Sequence, residues 1–210
     1  MKKNILRVVS TLLFFTQVEA EECCQSSCDW MNFYAEVLAG PNFVQKIAVD
    51  GNSSTYKTGY IVGGALGWSL PMGLSLEAEY AYRKNSISTI HFFGQGSSNN
   101  GYFQTSSWMG NILWDLPLPS CDCSFLHIEP YVGAGIGCDF QKMKSSNSQI
   151  LFSQKWTHLS WQVMVGLARP IFSKAAISLD YTFHQGGCHF YNHSLEAGLT
   201  YKFGVCRNRR

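Results

Sequence analysis

Residues 59–83 read GYIVGGALGWSLPMGLSLEAEYAYR, and their period decides the fold. Counted from Tyr56, the even positions are Tyr56, Thr58, Tyr60, Val62, Gly64, Leu66, Trp68 and Leu70. The odd positions are Lys57, Gly59, Ile61, Gly63, Ala65, Gly67 and Ser69. After Pro71-Met72-Gly73 the alternation resumes, with Leu74, Leu76, Ala78, Tyr80 and Tyr82 against Ser75, Glu77, Glu79, Ala81 and Arg83. A period of two belongs to a strand, whose successive side chains point to opposite faces. Residues 59–76 are free of charge, yet five glycines and Pro71 argue for two strands and a turn rather than a membrane helix.

The pattern recurs to the C-terminus. Trp108, Ile112, Trp114 and Leu116 oppose Ser107, Asn111 and Asp115, with Met109 and Leu113 as exceptions. Leu126 to Ile136 alternates against His127, Glu129, Tyr131, Gly133 and Gly135; Leu159 to Leu167 alternates against His158, Ser160, Gln162 and Gly166. Ile177, Leu179, Tyr181 and Phe183 oppose Asp180 and His184, and Leu195 to Phe203 opposes Glu196, Gly198 and Lys202. With a weaker first strand over Trp30–Gly40, that makes eight. Polar connections at 41–55, 87–104, 141–153 and 185–192 alternate with short links at 71–73, 117–124 and 172–174. This is the arrangement of a meander with short turns on one side and long loops on the other.

Alternation does not say which face is buried; size does. Eight strands leave an interior only just wide enough for side chains. Trp68, Trp108, Trp114 and Trp161 do not fit there, whereas the small face does. That face also carries Glu77, Glu79, Asp115, Glu129, Asp180 and Glu196 with Lys57, Arg83 and Lys202, expected to pair inside the lumen. Facing lipid, these charges would be costly. The expected fold is therefore all-β, an eight-stranded antiparallel up-and-down transmembrane barrel, with aromatics near strand ends as interfacial girdles.

Residues 1–20 read as a cleaved export signal: Lys2, Lys3 and Arg7, an apolar Val8–Phe15, then Val18-Glu19-Ala20. Residues 21–29 form a cysteine-rich segment, 30–204 the barrel, and 205–210 a short basic tail. The signal holds three of the 16 basic and one of the 14 acidic residues, so the remainder carries no net charge. Nucleic acid, which needs clustered positive charge, is excluded as a partner. No cofactor is implied.

The strand count, loop asymmetry and closing segment Leu195-Glu196-Ala197-Gly198-Leu199-Thr200-Tyr201-Lys202-Phe203 resemble the small outer-membrane barrels of the OmpA/OmpX type over about residues 30–204. The resemblance implies the outer membrane as location, lipid and lipopolysaccharide as surroundings, and a terminal aromatic read by the barrel-assembly machinery. Seven residues follow Phe203, a departure from that terminal signal. The cysteine-rich start also resembles the disulfide-linked envelopes of chlamydia-like bacteria.

With a periplasmic N-terminus, Cys23, Cys24, Cys28, Cys121, Cys123 and Cys206 fall on the short-turn side, and Cys138 and Cys188 on the long-loop side. A Cys138–Cys188 link is expected, while the other six allow 15 pairings or bridges to neighbouring envelope proteins. His184, Cys188, His189 and His193 are metal-ligating types crowded into the last loop, though no CxxC pair or carboxylate completes a signature. His158-Leu159-Ser160 has the H-x-S spacing of outer-membrane lipid A deacylases, but parity points both polar residues into the lumen. A hydrogen-bonding pair is the expectation there, and no enzymatic activity.

Function then rests on four loops held by a rigid scaffold, the usual site of recognition. The expected role is structural or surface interaction, adhesion or binding, with a host surface or an envelope neighbour. A small porin is the second reading and a lipid-modifying hydrolase the third. Phe92, Phe93, Tyr102 and Phe103 are candidate contacts, unless they pack the rim.

Overall fold

The computed structural model describes residues 32–45, 47–49, 52–92, 96–98, 101–117, 128–147, 150–187 and 190–203. The segments expected to be an export signal, a cysteine-rich stretch and a basic tail lie outside them, as do all cysteines except Cys138. In chain order the strands are β1 (Phe33–Val44), β2 (Ile47–Val49), β3 (Asn52–Tyr56), β4 (Gly59–Ser69), β5 (Leu74–Phe92) and β6 (Gly96–Ser98). They continue with β7 (Gly101–Asp115), β8 (Glu129–Asn147), β9 (Ile150–Phe172), β10 (Ala175–Gly186) and β11 (Phe190–Lys202).

Eight of these form the wall, each pairing antiparallel with its neighbours, and β1 closes the ring against β11. The stagger follows from the pairing. Partners lead from Phe33 through Trp68, Leu76, Ile112, Ala134, Val163, Phe183 and His193 and return to Phe43, ten residues along the starting strand. Closure with a fixed stagger tilts strands by roughly 35–45° and leaves an interior that side chains fill.

Burial alternates as the sequence does, and it settles which face is outside. Leu159 is 77% exposed, Ile136 71%, Leu66 68% and Trp108 60%, while Ile61, Ala81, Arg83 and Gln162 on the other face are at most 1% exposed. A continuous apolar surface facing outward around a polar interior is the inverse of a soluble barrel and suits hydrocarbon. Aromatics crowd both ends of the band. Phe33 stacks on Trp68 and Tyr201 meets Phe203 at the short-turn end. Tyr60 meets Tyr82, and Phe183 packs between Trp161 and Tyr191, at the other end. Trp108 stands within the band against Tyr80 rather than at an end.

One short link is Pro71–Gly73, where the Leu70 N–H donates to Leu74 O at 2.7 Å. Met72 and Gly73 both have positive φ (70° and 73°). Glycine adopts that conformation without penalty, whereas a methionine there is uncommon.

The long connections differ from expectation. Segments 41–55, 87–104, 141–153 and 185–192 are largely strand: β1, β5, β7, β8, β9, β10 and β11 all run into them, and β2, β3 and β6 pair there. The β8–β9 ladder is unbroken from Glu129 opposite Ala168 to Asn147 opposite Ile150. These segments are rich in polar residues and their alternation is weak, so the sequence reads as loop; what makes them strands is the ladder beneath, which supplies a paired template. β1 likewise spans Phe33–Val44 rather than Trp30–Gly40.

A Cβ added at Gly67 would collide with the Tyr34 ring, which crosses the lumen at that level. Gly67→Val is therefore expected to destabilise the barrel by about 1–3 kcal/mol through overpacking. Gly110→Val, whose Cβ faces lipid 3.9 Å from Ile136 O, is expected to be neutral. Urea midpoints of the folded band on unboiled gels check the pair; equal midpoints would contradict a filled lumen.

Candidate functional site: the lumen and its two mouths

Every second residue of each wall strand projects inward, so side chains distant in sequence meet across the lumen. Asn111 Nδ2 donates to Glu77 Oε1 (2.9 Å) and to Glu79 Oε2 (2.8 Å). Gln162 Nε2 donates to Glu79 Oε2 (2.7 Å) and to Asn111 Oδ1 (2.9 Å). The Tyr34 hydroxyl donates to Glu77 Oε2 at 3.1 Å. His184 continues the chain, its Nδ1 3.3 Å from Gln162 Oε1 and its Nε2 2.9 Å from Asp139 Oδ2. Beside it, Ser178 donates to Glu36 Oε1 (3.0 Å), and Asp180 accepts from the Tyr131 hydroxyl.

This network departs from the expected one in kind. The charges do not pair as cation with carboxylate. Among the described residues the one ion pair is His184–Asp139. Arg83, 1% exposed, donates from Nη1 to Ser107 Oγ at 2.9 Å, and its Nε and Nη2 find no acceptor. Neutral amides and hydroxyls hold the carboxylates instead. Such groups donate without adding a second charge that must also be desolvated, the larger part of the cost of a buried ion pair.

The half towards the long strands is closed by side chains. Asn42 Nδ2 donates to Asn85 Oδ1 (2.6 Å), and Asn85 Nδ2 to the Asn42 carbonyl (2.9 Å). Asn192, Thr105 and Ile61 are buried alongside. Phe103, 1% exposed, stacks on Phe190 at 4.6 Å between ring centres. At the short-turn end the lumen widens into a cavity of about 90 Å³ lined by Glu36, Asp115, Glu129, Tyr131 and Lys202 among others.

The expected residues sort accordingly. Glu77, Glu79, Arg83, Asp180 and Glu196 lie in the lumen, Glu196 accepting from Ser194 Oγ at 2.5 Å. Asp115, Glu129 and Lys202 belong to the mouth, outside the buried network. Lys57 is exposed on the connector between β3 and β4, because the inner face begins only at Gly59. Phe103 is interior and offers nothing to a partner; Tyr102 lies under the Lys84 ammonium, 4.8 Å from its ring centre. Side chains of Phe92 and Phe93 are outside the described residues.

His184 and His193 project to opposite faces of the wall, His184 into the lumen and His193 outward against the Tyr181 hydroxyl at 2.6 Å. They therefore cannot share an ion; Cys188 and His189 lie outside the described residues, and no cluster of three ligand types occurs within them. Ser160 and His158 do face the lumen, but Ser160 Oγ sits 3.4 Å from Met109 Sδ. Cys138 has a free thiol on the outward face of β8, between Trp108 and Leu159, and its expected partner Cys188 is not described.

Glu36, Asp139 and Asn42 were missed. Parity was the available signal: Asp139 continues the Tyr131–Gly135 set, Asn42 the Tyr34–Gly40 set. Both strands were ended too early.

Glu79→Leu removes one of the two acceptors of each of the Asn111 and Gln162 amides and is expected to cost about 1–3 kcal/mol for each N–H left unpaired. Glu79→Gln keeps an acceptor oxygen and is expected to lose less. Urea unfolding in vesicles decides; equal losses would contradict the hydrogen-bonded account.

The outer membrane protein beta-barrel domain family matches residues 10–203. Among solved structures, Neisserial surface protein A superposes with a TM-score of 0.58 at 16% identity, covering 81% of this chain and 97% of that one. The outer membrane protein OprG from Pseudomonas aeruginosa gives 0.52 at 10% identity, over 83% and 97%. At such identities the likeness is one of fold. No curated protein matches the sequence. Closed wall, apolar outer band and family match agree: the chain belongs to the outer membrane protein beta-barrel domain family and resides in the outer membrane.

Proposed function

We propose that this protein is a non-conducting surface-interaction protein, an adhesin or binding scaffold presented outside the cell. The observation that carries the reading is the continuation of β8 and β9 past the apolar band as one ladder. Outward residues are apolar to Phe140 and Leu159 and polar at Lys142, Lys144, Thr157 and Lys155, and the ladder runs on to Asn147 opposite Ile150. β2, β3 and β6 extend the wall similarly on β5. A β-structured projection is stiffer than a loop and loses less conformational freedom on binding. Neisserial surface protein A, which shares this fold, is consistent with the reading.

The small-porin reading requires an open path. Against it stand Arg83, His184, Asn42, Asn85 and Phe103, all at most 1% exposed within one narrow section. Enzymatic function has less support still, since the H-x-S pair meets a thioether.

Cells displaying the protein are expected to adhere to a host-cell layer more than cells displaying a variant with residues 143–154 replaced by an Asn-Gly turn, both heat-modifiable on gels. Purified protein in planar bilayers is expected to give no steady channels. Equal adherence of the two displays would overturn the binding reading, and steady unitary conductance would replace it with the porin.

A further inference from the structure

The charges of this barrel are sorted by face. All eight described carboxylates stand on inward positions: Glu36, Glu77, Glu79, Asp139, Asp180 and Glu196 in the lumen, Asp115 and Glu129 at its mouth. Lys84, Lys142, Lys144 and Lys155 stand on outward ones. The four are not scattered. Lys155 of β9 is directly opposite Lys142 of β8, Lys142 is opposite Gln104 of β7, and Gln104 is opposite Lys84 of β5. Lys144 follows two residues on, opposite Tyr102.

Like charges directly opposite on one face of a sheet repel. Here nothing described neutralises them: no carboxylate lies within salt-bridge distance of any of the four, because the acids are on the other side of the wall. Their level is also telling. Lys84 comes two residues after Tyr82 and Lys142 two after Phe140, on the same outward face, so the lysines begin where the apolar band ends. Aliphatic stems at that level lie along the band while the ammonium groups reach the headgroup layer. The Lys84 ammonium over the Tyr102 ring holds one such arrangement.

We propose that the outward faces of β5, β7, β8 and β9 form a binding site for a phosphate-bearing glycolipid headgroup of the surrounding leaflet, with Lys84, Lys142, Lys144 and Lys155 as its cationic contacts. The anion supplies the countercharge that the Lys142–Lys155 pair lacks, and the acyl chains lie on Phe140, Trp108 and Leu159 beneath. Cation and apolar surface are continuous, which a lipid matches and a free ion does not. The proposal rests on membrane placement and stands apart from what the projecting hairpins bind.

Native mass spectrometry of the folded protein in zwitterionic micelles tests it, with diphosphoryl lipid A as probe. Diphosphoryl lipid A is expected to bind more tightly than lipid A stripped of phosphate, and excess inorganic phosphate to compete weakly. Each of Lys84→Gln, Lys142→Gln, Lys144→Gln and Lys155→Gln is expected to weaken binding about fivefold. The double variant Lys142→Arg/Lys155→Arg retains affinity, as does Lys174→Gln at the far rim. Equal binding of the phosphate-free lipid, or unchanged affinity when all four lysines are replaced by Gln together, would overturn the site. Inorganic phosphate competing as well as the lipid would overturn the lipid as its ligand.

Discussion

Closure is the constraint on which everything else depends. Eight strands whose partners return ten residues up the starting strand enclose a lumen too narrow to be left empty and too narrow for large rings on every strand. Small residues therefore line much of it, and two tyrosines that enter it are each faced by a glycine. Tyr34 lies over Gly67, and Tyr131 over Gly166. The bulky residues have one place left, outside, and a surface of Leu, Trp and Ile in that quantity is stable only in hydrocarbon. Fold and location follow from one geometric fact.

The same narrowness governs the charges. A carboxylate inside cannot draw on bulk water, so each needs donors from the wall. Asn111 and Gln162 serve Glu77 and Glu79 from two other strands, and the bonds tie β5, β7 and β9 together through the lumen. Because the lumen takes the acids, the outer surface past the apolar band is left with lysines. Plug, network and basic rim are consequences of one sorting, in which small or polar residues go in, large apolar ones face lipid, and ammonium groups emerge at the headgroups.

Much of this was legible in the sequence, since period two is a direct statement about faces. Tyr60, Leu66, Trp68, Trp108 and Trp161 were assigned outward and Ile61, Glu79, Arg83 and Ser160 inward by parity alone, and they stand so. What escaped parity was distance across the lumen. Arg83 shares a face with several acids, yet its bond goes to Ser107, because position around a staggered ring is set by pairing register and not by chain order. His184 and His193 are close in sequence but on opposite faces, a difference parity does carry, since His184 shares the inward set with Asp180 and His193 stands next to inward Ser194. Strand ends were the other failure: beyond the apolar band the outward face turns polar as well, the alternation fades, and the ladder below is what marks Lys142 or Lys155 as strand.

The central claim is that the aromatic face looks into lipid around a filled polar interior. Tryptophan quenching by acyl-chain-brominated lipids reads it most directly, in a variant that keeps Trp108 as its sole tryptophan and is folded into vesicles. Strong quenching by lipids brominated mid-chain, with none from an aqueous quencher such as iodide, is the expected result. Quenching by iodide with no effect of the brominated lipids would mean that Trp108 faces water or the lumen, and the inside-out assignment of the wall would fail.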